Sequence, residues 1–223
     1  MEASLAVCIL AALLATGTCL QCEVCTGFGS NCTGSMQNCT AGQDSCGIFL
    51  TEIIVVGIES QRILKACVPS SQCEAGLISV NFGNIVTSRT NITCCVGDAC
   101  KTVHVTLPPA DTTPNGRRCP SCFALDTEQC HEGTLECAGS ETQCIDATGA
   151  IMFGRSPIPI VMKGCVSESM CHHLNETSSA FARINLNLTR EKCTQPSVVV
   201  GGAPGAAGLL PALAGLLLLT LLS

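Results

Sequence analysis

Cysteine is the reactive residue this chain uses most, with twenty among 223 residues. Two C-x-x-C motifs, Cys22 to Cys25 and Cys119 to Cys122, have the spacing of a zinc clasp or a dithiol redox pair. Each motif heads a longer series. The first is Cys22, Cys25, Cys32, Cys39, Cys46, Cys67, Cys73 and Cys94; the second is Cys119, Cys122, Cys130, Cys137, Cys144, Cys165, Cys171 and Cys193. The intervals run 3, 7, 7, 7, 21, 6, 21 and then 3, 8, 7, 7, 21, 6, 22. Seven consecutive intervals agreeing within one residue mark the duplication of a folded unit. Solenoid repeats run at roughly 20–50 residues, so a period near a hundred is that of whole domains in tandem.

Compartment decides between metal and disulfide. Leu5 to Leu14 is almost purely apolar and too short to span a bilayer, with small residues at Gly17 and Cys19. Residues 1–19 therefore read as a secretory signal cleaved before Leu20. Cys8 and Cys19 leave with it, and eighteen cysteines remain where thiols oxidise. The expectation is a disulfide framework rather than zinc or redox chemistry. Cys94 and Cys95 are neighbours, so they should serve different partners; Cys100 completes the first module. Each module has about 80 residues and few large apolar side chains, so burial alone would hold it only marginally and cross-links must make up the difference.

Other chemistry is sparse. There is no G-x-S-x-G, no H-E-x-x-H and no phosphate-cradling loop followed by Lys-Ser or Lys-Thr. Of the four histidines, His104, His131, His172 and His173, the adjacent pair reads as solvated on a loop. A binding protein without catalysis, cofactor or metal is expected. The net charge is −6, and the only adjacent basic pair is Arg117-Arg118. That is no footprint for nucleic acid.

The C-terminal segment 196–223 carries no charge, and Leu209 to Leu222 is apolar apart from Pro211, Gly215 and Thr220. Gly201-Gly202-Ala203 precedes it. Small residues, a spacer and an apolar tail form the signal for a glycosylphosphatidylinositol (GPI) anchor, with Gly201 as the candidate attachment site. A spanning helix would have to include the Gly- and Pro-containing stretch from Val198, without a Lys/Arg cluster at its end. The expected location is the outer face of the plasma membrane, with a released form possible. Five N-x-Ser/Thr sequons, at Asn31, Asn38, Asn91, Asn175 and Asn187, are candidate glycan sites, with Asn175 and Asn187 ranked first.

The elements that must position these residues are strands. Ile48 to Val56 and Arg62 to Val68 read as a hairpin with its tip at Gly57 to Ser60. Gly76 to Phe82 and Ile85 to Thr93 read as a second, turning at Gly83-Asn84. In the other module Gln143 to Ala147 and Ile160 to Val166 flank a long tip. No helical periodicity is sustained between the chain ends. Residues 102–118 read as a linker broken by Pro108-Pro109, Pro114 and Asn115-Gly116. The domains are then 20–101 and 119–195.

Leu20-Gln21-Cys22-Glu23-Val24-Cys25 and Cys94-Cys95-Val96-Gly97-Asp98-Ala99-Cys100 resemble the opening and closing motifs of the three-finger family of lymphocyte antigens and the urokinase receptor. The resemblance implies an all-β, disulfide-rich, snake-toxin-like fold in two copies. It also implies the pairs Cys22–Cys46, Cys25–Cys32, Cys39–Cys67, Cys73–Cys94 and Cys95–Cys100, then Cys119–Cys144, Cys122–Cys130, Cys137–Cys165 and Cys171–Cys193. Spacing alone leaves the connectivity open. Lys101 stands where the family usually has Asn, and Thr194 and Val199 replace the second module's last cysteine pair.

Within the family the chain is most similar to γ-type phospholipase A2 inhibitors. The likeness rests on Cys22-Glu23-Val24-Cys25, on Pro114-Asn115-Gly116 with Cys119-Pro120, on Gly139 to Ile145, and on Lys163 to Ser167. It implies binding to a secreted phospholipase A2 or a related secreted protein; a GPI-anchored receptor or adhesion glycoprotein is the alternative. The apolar stretch Ala150 to Pro159 is a candidate contact, with Phe153 and Arg155 as its anchors.

Overall fold

A computed structural model describes residues 20–127, 129–153, 156–176 and 186–198. Its first half holds three fingers. Strands β1 (Gln21–Phe28) and β2 (Ser35–Asn38) form one. β3 (Ser45–Val55) and β4 (Ile58–Val68) form the middle one, and β5 (Leu77–Asn81) and β6 (Val86–Cys95) the third. The second half repeats the plan with β7 (Pro114–Leu125), β8 (Gly133–Ala138), β9 (Glu141–Phe153), β10 (Ser156–Ser167), helix α1 (Glu168–Glu176), β11 (Leu186–Thr194) and β12 (Ser197–Val198). Every pairing is antiparallel.

The strands join into one twelve-stranded sheet. Its main path runs β11-β9-β10-β5-β6-β3-β4-β1-β2, with β7 pairing β10, β8 and β12. The link between the halves is the short ladder Cys165↔Asn81 and Val166↔Val80, where β10 meets β5. A thin-cored module has reason to share its apolar surface. Ile78, Phe82 and Ile92 of the first half bury in the same cluster as Ile145, Ala147, Ile160, Met162, Val166, Met170, Leu174 and Leu186 of the second. Phe82 and Phe123 meet across the boundary with ring centroids 5.9 Å apart.

Several expectations need correction. The middle finger of the first module turns at Val56-Gly57, not over Gly57 to Ser60, because Val55 already faces Ile58. The second module's middle finger has no long tip: its strands reach Phe153 and restart at Ser156. Pro157 and Pro159 both fall within β10. Pro159 turns its carbonyl away from β9, accepting from the Asp126 N–H at 2.8 Å. A residue's N–H points to the same side as its C=O, so the donor that proline lacks is not one β9 requires.

Helical structure is present between the chain ends: α1 spans nine residues, and 3-10 turns cover Ser70–Ala75 and Gly97–Lys101. His172 and His173 lie on α1 instead of a loop. The linker is not broken throughout, since β7 begins at Pro114. Its upstream part is strapped to the first module. Val105 is buried in that module's core, Asn91 Nδ2 donates to the Thr106 carbonyl at 2.6 Å, and Arg89 Nη1 donates to that of Pro108 at 2.8 Å.

Candidate binding surface

At the base of each module the disulfides cross. Cys22–Cys46 and Cys39–Cys67 bring the sulfurs of Cys22 and Cys39 within 3.3 Å. Cys119–Cys144 and Cys137–Cys165 do the same for Cys119 and Cys137 at 3.4 Å. The buried trios Cys22, Cys39, Cys67 and Cys119, Cys137, Cys165 are close enough to hold a metal ion. All six sulfurs are oxidised in disulfides, so none offers the thiolate that zinc requires. Cys25–Cys32, Cys73–Cys94, Cys95–Cys100, Cys122–Cys130 and Cys171–Cys193 complete the nine bonds. Cys94 and Cys95 serve different partners, pinning the third finger and the Gly97–Lys101 turn at one point.

From these bases the fingers project. On the first module's tips Val56 is 71% exposed and Ile58 75%, beside exposed Val55 and Ile85. The Val56 N–H donates to the Ile85 carbonyl at 2.9 Å, which ties the middle and third tips together. Val56 and Gly57 both have positive φ, 50° and 80°. That is the two-residue turn matching the right-handed twist of a hairpin. Asparagine would sit there with less strain than a β-branched residue. Phe28, 75% exposed on the first finger, carries the Arg62 guanidinium 4.8 Å above its ring. Sequence reasoning placed Ile58 in the hairpin tip and Val55 and Val56 in the strand, but did not single them out as a contact surface. The signal was the apolar run continuing through the turn.

Glu141 lies at the module boundary and is 7% exposed. Its carboxylate accepts from the Ala138 N–H at 3.0 Å, from Asn81 Nδ2 at 3.2 Å and from Ser79 Oγ at 3.4 Å. Burial pushes its pKa above the ordinary glutamate value, against the pull of these three neutral donors. Around it Ser167 Oγ accepts from the Ser79 N–H at 3.0 Å, and Ser169 Oγ donates to the Leu77 carbonyl at 2.8 Å. The boundary is hydrogen-bonded as well as apolar.

Phe153 ends β9 opposite Ser156; its side chain, and all of Arg155, lie outside the described residues. Of the stretch around them, Ile151 packs against the shared core and Met152 is 37% exposed. Asn31, Asn38 and Asn187 are exposed, Asn91 is half-buried, and Asn175 is on α1. Residues 1–19 and Gly201 lie outside the described residues. Among the described residues no helix is long and apolar enough to cross a membrane.

Residues 20–102 match the family model described as Phospholipase A2 inhibitor, and residues 115–197 match the u-PAR/Ly-6 domain. Phospholipase A2 inhibitor NAI of Notechis ater is 38% identical over 176 residues, covering 77% of this chain and 86% of the relative. A phospholipase A2 inhibitor of the gamma type from Gloydius brevicaudus siniticus is 35% identical over 87% of this chain and 96% of its own. Phospholipase A2 inhibitor PIP of Malayopython reticulatus is 32% identical over 79% and 88%. The crystal structure of mouse TEX101 matches 80% of this chain and 99% of its own, at 19% identity and a TM-score of 0.31. The chain belongs to the phospholipase A2 inhibitor family and carries a u-PAR/Ly-6 domain.

Proposed function

We propose that this chain is a non-enzymatic extracellular protein that binds and inhibits a secreted phospholipase A2 by surface contact. The observation that carries the reading is the 38% identity to an inhibitor of that enzyme over 176 residues. A disulfide-fixed sheet with apolar fingertips suits the task, since rigid apolar anchors bind at little ordering cost. Phe153, the last residue of β9, and Arg155, together with the exposed Val56 and Ile58, are the proposed contacts.

We further infer that 1–19 is removed on export, that domains 20–101 and 119–195 are joined by 102–118, and that a GPI lipid on Gly201 holds the protein at the outer membrane face. The small residues at 201–203 and the apolar tail support the anchor. Treating cells with a phosphatidylinositol-specific phospholipase C should release it; retention on the cell would mean another mode of attachment.

The test of inhibition is a titration of the released protein against a panel of secreted phospholipases A2. Stoichiometric loss of activity toward at least one enzyme is expected. Undiminished activity throughout at micromolar protein would leave the chain a surface receptor or adhesion glycoprotein instead.

A further inference from the structure

We propose that N-linked glycans at Asn31 and Asn38 on one side, and at Asn187 on the other, cap the two ends of the main sheet path and prevent copies from pairing edge to edge. The inference rests on the reading that the chain is exported and glycosylated. An open sheet ends in strands whose outer N–H and C=O groups can template another chain. Proteins protect such edges with charge, proline, bulges, covering segments or very short strands. Here β2 and β11 are the ends of the path.

The β2 edge has little protection of its own. Ser35, Met36, Gln37 and Asn38 are all exposed, none is charged, and Met36 is 61% exposed. Sequons bracket this strand: Asn31 lies just upstream and Asn38 is its last residue. Asn38 Oδ1 accepts from Gln21 Nε2 at 2.8 Å. That bond fixes the amide plane through its oxygen, while Nδ2 is the atom to which a sugar would be joined.

On β11 the defence is divided. Arg190, Glu191 and Lys192 charge its second half, and Arg190 reaches Asp146 at 3.0 Å. Leu186 to Thr189 has no charge and is broken only by the register shift between Leu188 and Arg190, and there the exposed Asn187 stands. The remaining open strands are covered by other means. β8 bears Glu136, paired with Arg118, and follows Glu132, paired with Lys163; β12 has two residues.

Asn91 supplies the internal control. It lies on β6, flanked by β3 and β5, and its Nδ2 donates to the Thr106 carbonyl. A glycan there would cover no edge.

The test begins with full-length protein made in glycosylating cells, site occupancy being mapped by mass spectrometry. Occupancy is expected at Asn38 and Asn187. Light scattering then compares wild type, N91Q and the triple variant N31Q/N38Q/N187Q. The triple variant should show a mass at least twice that of wild type, with N91Q the same as wild type. Trimming the folded wild type with an endoglycosidase should produce the same association, which covers a triple variant that fails to fold. Bare sequons at Asn38 and Asn187 would overturn the proposal together with the glycosylation reading. Occupied sites with no association after trimming, or equal association of N91Q, would overturn the edge role alone.

Discussion

Glu141 sets burial against charge more directly than any other described carboxylate. Its pKa is raised by burial, so the folded state holds its proton more tightly than the unfolded chain does. This residue's contribution to stability is therefore complete below the ordinary glutamate range and is lost as pH rises through the raised value. Between about pH 4 and about pH 8, E141Q should lose less stability than wild type. Urea midpoints measured at both ends, with disulfides intact, check this; parallel pH profiles would contradict it. Val56 is the other residue with a cost of its own. V56N should raise stability by about 1 kcal/mol, because a β-branched residue at positive φ gives way to the one this turn favours. Thermal midpoints of the two proteins check it, and an unchanged or lower midpoint for V56N would contradict it. Neither residue was legible in the sequence, since neither a turn's φ nor a carboxylate's burial is written in local pattern.

At the scale of elements, the cross-links dominate and their loop lengths rank them. Cys39–Cys67 closes a separation of 28 residues and Cys95–Cys100 one of 5. In the chain-entropy model these correspond to about 3–4 and about 2 kcal/mol. C39A/C67A should therefore lower the thermal midpoint more than C95A/C100A; because Cys39 and Cys67 are also both buried, the reverse order would contradict the loop-entropy ranking outright. The second and third hairpins of the first module were readable from β-branched runs ending at Gly57 and at Gly83-Asn84, whereas the β1–β2 hairpin was not read. The β9–β10 hairpin was half-read, because Pro157 and Pro159 look like strand breakers until their missing donors are known to face away from β9. Helix α1 gave no sustained period within nine residues. The disulfide pairs came through family resemblance, since the spacing of the cysteines leaves many connectivities open.

The whole molecule is held as one sheet where β10 meets β5, and the duplicated cysteine series gave no hint of that contact. A clue was Gly164, a glycine inside the strand read over Ile160 to Val166. A Cβ on Gly164 would lie 2.0 Å from the Asn81 carbonyl, so only glycine lets the two backbones approach this closely. G164A should part β5 from β10. Amide exchange at Ser79 to Asn81 and at Cys165 to Ser167 would rise, while protection in the β3–β4 hairpin stays as in wild type. Unchanged exchange at the junction would mean that the modules are held by the apolar cluster alone. The joined modules form one scaffold that presents apolar fingertips to a protein partner, and direct binding tests this claim. With secreted phospholipases A2 immobilised and the folded protein in solution, saturable one-to-one binding at submicromolar concentration to at least one enzyme is the predicted result, weakened by V56D/I58D. Absence of saturation with every enzyme up to micromolar concentration would contradict it.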